Sequence, residues 1–88
     1  MKTYVVEVVI ENKPAARDPE GEAIWRDLIV RGGFTEVKSV RSGKYLRLLV
    51  EAGSEEESKD LTVRLCNDLR IYNPVVHVCT VSVKGARV

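Results

Sequence analysis

The sequence is poor in the residues from which small active centres are built. It holds one histidine, two cysteines, one tryptophan, three tyrosines and one phenylalanine among 88 residues. Two cysteines, Cys66 and Cys79, are too few for a disulfide framework. With one histidine, His77, a Cys/His nucleophile has a single candidate base. No apolar run approaches the roughly 20 residues that span a bilayer. The N-terminal stretch Met1–Lys13 carries Glu7 inside its apolar run and has no small-residue cleavage site, so it does not read as a secretory leader. Charge of one sign is also missing: 14 Lys+Arg stand against 13 Asp+Glu, a net of +1. That balance disfavours a polybasic nucleic-acid binder. The expectation is a soluble cytoplasmic chain with reduced thiols, and with neither membrane nor nucleic acid among its partners.

What is present is enough for one domain spanning residues 1–88. Hydrophobic residues make up 44% and charged residues 31%, which is not the balance of a disordered chain. A chain this short buries only roughly 60–65% of its unfolded surface, so association is a natural source of further stability.

Residues 3–11, TYVVEVVIE, alternate with period two and are rich in β-branched residues, which predicts a strand. Asp18-Pro19 predicts a helix start: the carboxylate caps free N–H groups, and proline at the first helical position gives up no needed donor. Ile24, Trp25, Leu28 and Ile29 form an apolar stripe, and Gly32-Gly33 ends the helix. Phe34–Arg41 and Lys44–Glu51 read as two strands joined by a Ser42-Gly43 reversal, a hairpin. Ser54-x-x-Glu57 is a capping box opening a second helix. There Leu61, Leu65 and Leu69 recur every four residues with Cys66 beside them. Ion pairs Glu22–Arg26, Asp27–Arg31, Glu55–Lys59 and Asp60–Arg64 are expected on the wet faces. The second helix should stop before Asn73-Pro74, and Val75–Val83 reads as the last strand. The order β-α-β-β-α-β predicts an α+β fold, an antiparallel sheet with two helices on one face, as in ferredoxin-like domains.

No constellation of catalytic residues emerges. His77 and Cys79 share a strand face, but a zinc or copper site needs three or four ligands. Cys66 in a leucine stripe reads as a small hydrophobe. Glu55-Glu56-Glu57 and Asp18 read as helix N-terminal charges. Arg41-Ser42-Gly43-Lys44-Tyr45 is the densest polar feature outside a helix. Two cations around a glycine can hold a phosphate, yet the spacing is neither that of a P-loop nor of a dinucleotide site, and a solvated hairpin tip is the plainer reading. Trp25 reads first as core and second as a contact between copies.

The series Asp18-Pro19-Glu20-Gly21, Gly33-Phe34, Val40-Arg41, Gly43-Lys44-Tyr45, Cys66-x-x-Leu69 and Asn73-Pro74-Val75-Val76 resembles the PurS family, the small subunit of phosphoribosylformylglycinamidine (FGAM) synthase. The resemblance runs through almost the whole chain, and its specificity lies in the series rather than in any one piece. It implies an accessory, non-catalytic role in purine biosynthesis beside a PurL-type synthetase and a PurQ-type glutaminase. In that complex the glutaminase frees ammonia from glutamine. The synthetase activates the formamide oxygen of formylglycinamide ribonucleotide with ATP and magnesium, and ammonia displaces phosphate to give the amidine. The resemblance further implies no catalytic, cofactor or metal site in this chain, and a homodimer or homotetramer with a strand exchanged between copies as an open expectation. Arg41, Gly43, Lys44 and Tyr45 are the expected partner-facing residues, and Trp25 an expected oligomer contact. The chain departs from the family pattern at His77 and Cys79. Two readings from other classes stand beside this one: a small-molecule-binding regulatory α+β domain, and an RNA-binding ferredoxin-like module, although only Tyr45 offers a stacking aromatic near the basic residues.

Overall fold

In the computed structural model, which describes residues 1–87, a single long strand organises the chain. Strand β1 (Lys2–Asn12) sits at the centre of a three-stranded antiparallel sheet of order β2-β1-β3, flanked by β2 (Gly43–Ala52) and β3 (His77–Arg87). Its period-two pattern sends Tyr4, Val6, Val8 and Ile10 to one face, where all four are buried. Tyr4 pairs with Val50, Val6 with Leu48 and Val8 with Leu46, so Leu46, Leu48 and Val50 share that face without a bulge. Across the other edge Ile10 faces Cys79 and Val8 faces Val81. The register slips between Val5 and Val6, where Lys84 is the extra residue of β3.

Helix α2 (Glu55–Asp68) covers the apolar face and packs on all three strands. The residues it buries are Ser58, Thr62 and Cys66, not the leucines. Leu61 and Leu69 stand at 38% and 68% exposure, so the expected stripe lies to the side of the contact. Small side chains at i, i+4 and i+8 let the helix sit close to the sheet. Their hydroxyls cost little to bury because each bonds back to its own helix: Ser58 Oγ donates to the Glu55 carbonyl at 2.6 Å and Thr62 Oγ1 to the Ser58 carbonyl at 2.8 Å. Ser54 caps the helix by accepting from the Glu57 N–H, as expected, while the Glu57 carboxylate returns to the Gly53 N–H rather than to Ser54. The helix ends earlier than expected. Arg70 adopts φ 54° and the Ile71 N–H reaches the Cys66 carbonyl, a left-handed stop that needs no proline.

The first helix follows the predicted start and stop but not the predicted packing. α1 (Pro19–Ala23) continues as a π-helical stretch (Ile24–Val30), and neither part approaches any strand among the described residues. The expectation of two helices on one sheet face therefore holds for α2 alone. The expected i,i+4 pairs Glu22–Arg26 and Asp27–Arg31 are not among the ion pairs of the described residues. Glu22 pairs instead with Arg17, and Asp27 with its neighbour Arg26. On α2, Glu55–Lys59 and Asp60–Arg64 do not appear among the ion pairs that form; fully solvated partners gain little from closing.

The expected strand over residues 34–41 is not one. Those residues run as turns and irregular chain, so the order is β-α-β-α-β and there is no hairpin at Ser42-Gly43. The segment is tied to the first helix instead, the Trp25 indole N–H donating to the Val37 carbonyl at 2.7 Å, and the outer edge of β2 stays unpaired among the described residues. The last strand in turn extends beyond its expected end, residues 85–87 pairing with Thr3–Val5; Val88 lies outside the described residues.

The result is an extended protomer. It measures 50 × 31 × 14 Å with a radius of gyration of 16.4 Å, against about 12 Å for a compact chain of this length. The helix and the irregular segment to Val40 form an arm that the sheet does not cover.

Candidate functional site

Asp18 joins the arm to the sheet. It is 3% exposed. One carboxylate oxygen accepts from the Gly21 N–H at 3.1 Å and the Ser42 hydroxyl at 2.6 Å, and the other from the Ser42 N–H at 2.5 Å. The helix cap is therefore also a tie to the residue before β2. These hydrogen bonds, the Ser42 hydroxyl foremost, hold the Asp18 carboxyl down to about 2, with Arg41 adding a smaller favourable charge. A side chain at Gly21 would meet both the Asp18 carboxylate and the Val40 carbonyl at 2.6 Å. The Asp-Pro-x-Gly spacing thus has a physical reading that the sequence alone did not yield: the cap needs backbone approach at its third following residue.

Arg41 lies beside this tie. Its guanidinium donates to the carbonyls of Asn12 and Lys13, each at 3.0 Å, and to that of Ala16 at 3.4 Å. It closes the Asn12–Arg17 loop from outside while remaining exposed. Gly43 is the first residue of β2, opposite Glu11, where any side chain would strike the Ile10 carbonyl at 2.6 Å. Lys44 is exposed and has no ion-pair partner among the described residues. It borders a cleft of about 320 Å³ with Asp18, Glu20, Ser42 and His77. Tyr45 points to the opposite face of the sheet. The four residues of the expected partner-facing group are thus adjacent in sequence, but Lys44 and Tyr45 serve different faces.

The face that Tyr45 joins has no helix on it. Tyr45 donates its hydroxyl to Glu7, which also lies 3.5 Å from Lys84 and 4.0 Å from Arg47. The Tyr45 hydrogen bond first, then the two cations, hold the Glu7 carboxyl below its ordinary range against a desolvation that pushes the other way. Around this polar centre stand Val9, Leu49 and Val78, exposed by 38%, 52% and 41%. It is an apolar rim with one acid and two bases in the middle.

The arm carries the second uncovered surface. Trp25 is half-buried, and its indole N–H donates to the Val37 carbonyl at 2.7 Å, fastening the irregular segment to the helix. Leu28 and Phe34 beside it are exposed by 67% and 64%. Sequence reasoning singled out Trp25 and missed Phe34; its place after Gly33, read as a strand start, concealed it.

His77 and Cys79 do not converge on a shared ligand position. His77 Nδ1 accepts from the Asn73 N–H at 3.0 Å and so locks the turn before β3. Cys79 lies in the core cluster that contains Cys66. Among the described residues no three His, Cys, Asp or Glu side chains form a metal-holding group, and no helix is long and apolar enough to cross a membrane.

Comparison with known proteins places these features in a wider set. The family model described as PurS, phosphoribosylformylglycinamidine (FGAM) synthase, matches residues 5–85. The PurS subunit of Archaeoglobus fulgidus is 39% identical over 72 residues, covering 82% of this chain and 88% of that one. The PurS subunit of Methanocaldococcus jannaschii is 35% identical over 74 residues, covering 84% and 87%. Its crystal structure superposes with a TM-score of 0.82 at 30% identity, over 96% of this chain and 99% of that one. A chain in the structure of PurLQS from Thermotoga maritima gives a TM-score of 0.83 at 32% identity, over 94% and 99%.

Proposed function

The chain belongs to the PurS family of FGAM synthase subunits, and we propose that it is the accessory, non-catalytic subunit of that ligase complex in purine biosynthesis. It acts in the cytoplasm, holding a PurL-type synthetase and a PurQ-type glutaminase together and supporting the passage of ammonia between them. ATP, magnesium and glutamine are used by those two chains. This subunit contributes surface.

One observation carries the reading: almost the whole of this chain superposes on almost the whole of a chain in the Thermotoga maritima PurLQS structure. The protomer's shape supports it. An extended chain with one bare sheet face and an arm bearing exposed Leu28 and Phe34 has apolar surface that a solitary 88-residue protein gains by covering. Two coverings are at work. Copies of this chain pair through the arm, with Trp25 fastening the segment that carries Phe34. The heterologous partners meet the Lys44 end of the sheet, where Arg41 and Gly43 fix the backbone and Lys44 offers a free cation, with Tyr45 on the opposite sheet face.

The test is reconstitution. Co-expression with a synthetase and a glutaminase, followed by native mass measurement in ATP, magnesium and glutamine, is expected to give a particle containing all three chains. A mixture in which this chain migrates alone under those conditions overturns the assignment.

A further inference from the structure

Cys66 and Cys79 are the chain's only sulfhydryls, and the fold brings them together. Cys66 lies on the buried side of α2 at 1% exposure. Cys79 faces Ile10 across the sheet register and packs into the cluster formed by Val8, Ile10 and Cys66. Cys79 is partly open to solvent whereas Cys66 is closed. An outer sulfur beside an inner one, on two elements packed against each other, is the arrangement of an attacking and a resolving thiol.

We propose that Cys66 and Cys79 form a reversible oxidation site that takes a low-molecular-weight disulfide as its substrate and closes into an intramolecular staple between α2 and β3. The Cys79 thiolate attacks one sulfur of the oxidant. A mixed disulfide forms and the first small thiol leaves. The Cys66 thiolate then attacks the Cys79 sulfur and expels the second small thiol. Two electrons pass from the protein thiols to the oxidant, whose S–S bond is reduced, and the two protein protons end on the departing thiols. The staple lies within one protomer, under α2, and leaves the arm and the bare sheet face untouched.

The environment makes the site slow rather than hair-triggered. Burial, with the neighbouring Cys66 sulfur adding to it, pushes the Cys79 thiol above its ordinary range. Since the thiolate is the attacking species, closure should accelerate about tenfold per pH unit until that thiol titrates. Once made, the bond ties positions 13 residues apart in sequence, counted from Cys66 to Cys79, and restricts the unfolded chain.

The sequence provides a direct assay. Trypsin cuts at Arg64, Arg70 and Lys84, which separates Cys66 in Leu65–Arg70 from Cys79 in Ile71–Lys84. The full chain is treated with oxidised glutathione at about pH 9, quenched in acid, and measured by intact mass and peptide map. The expected product is a monomeric chain about 2 Da lighter, with the two peptides linked and a melting temperature higher by several degrees. Cys66→Ala should stop at the first step, heavier by one glutathionyl group on Cys79. Cys79→Ser, at the less buried position, should leave Cys66 unmodified while the chain stays folded by circular dichroism. A wild-type chain that keeps both thiols, stops at a mixed disulfide, or forms only cross-links between chains overturns the proposal. So does preferential modification of Cys66 in folded Cys79→Ser.

Discussion

Replacing Leu28 and Phe34 together by glutamine separates the two parts of the account, the fold of the protomer and its need for company. Both side chains are about two-thirds exposed, at 67% and 64%, so their loss removes little from the protomer core and should shift its own stability by no more than about 0.5 kcal/mol. Covering the exposed two-thirds of a leucine or a phenylalanine contributes about 1–2 kcal/mol each, or about 2–4 kcal/mol per arm. In a two-fold assembly both arms count, giving about 4–8 kcal/mol, a weakening of the dissociation constant by roughly 10³- to 10⁶-fold. Sedimentation equilibrium over a range of concentrations reads this directly, with circular dichroism of the dissociated species checking that the sheet persists. A double variant whose dissociation constant stays within about threefold of the parent would refute the idea that the arm is covered by a second copy.

Other substitutions probe the tie and the core. Lys44→Glu should leave the melting temperature unchanged yet weaken capture of the synthetase and glutaminase in a native-mass titration. Arg41→Glu should also destabilise the chain itself, by about 1 kcal/mol in a urea titration, because three carbonyls lose their common donor. Asp18 supplies a pH signature. Its carboxyl is held down to about 2 from an ordinary 3.8, so its contribution is complete above about pH 4 and is lost as pH falls through about 2. Calorimetry of Asp18→Asn should therefore show a deficit at neutral pH that shrinks toward pH 2; a deficit independent of pH contradicts the tie. Val8→Ala, at a side chain with no exposure, should cost about 2 kcal/mol in denaturant titration, since two buried methyl groups leave a cavity.

Much of this could be read from residues because local rules decided it. The alternation Tyr4-Val6-Val8-Ile10 fixed both the strand and its buried face. Asp18-Pro19 and Ser54-x-x-Glu57 marked both helix starts, since caps act within one turn. What escaped was decided by tertiary geometry. The Leu61-Leu65-Leu69 stripe looked like the helix contact, but the sheet takes the small face Ser58-Thr62-Cys66, and nothing local to α2 announces how closely a sheet will approach. Residues 34–41 have strand-like composition, yet the segment is tied to the first helix through Trp25 and Val37 and leaves the outer edge of β2 unpaired among the described residues. Glu22 and Asp27 close on Arg17 and Arg26 rather than on their expected partners. Of the expected partner-facing residues, the sequence indicated the neighbourhood, and the fold divides it: Arg41 and Gly43 hold backbone, Lys44 faces solvent, and Tyr45 turns to Glu7 on the opposite face.

The most direct test of the central claim is the rate of glutamine-dependent FGAM formation from the synthetase and glutaminase with and without this chain, in ATP and magnesium. The two large chains alone should turn over glutamine-derived ammonia poorly, and adding this subunit should restore a coupled rate. Equal glutamine-dependent rates in its presence and absence would contradict it.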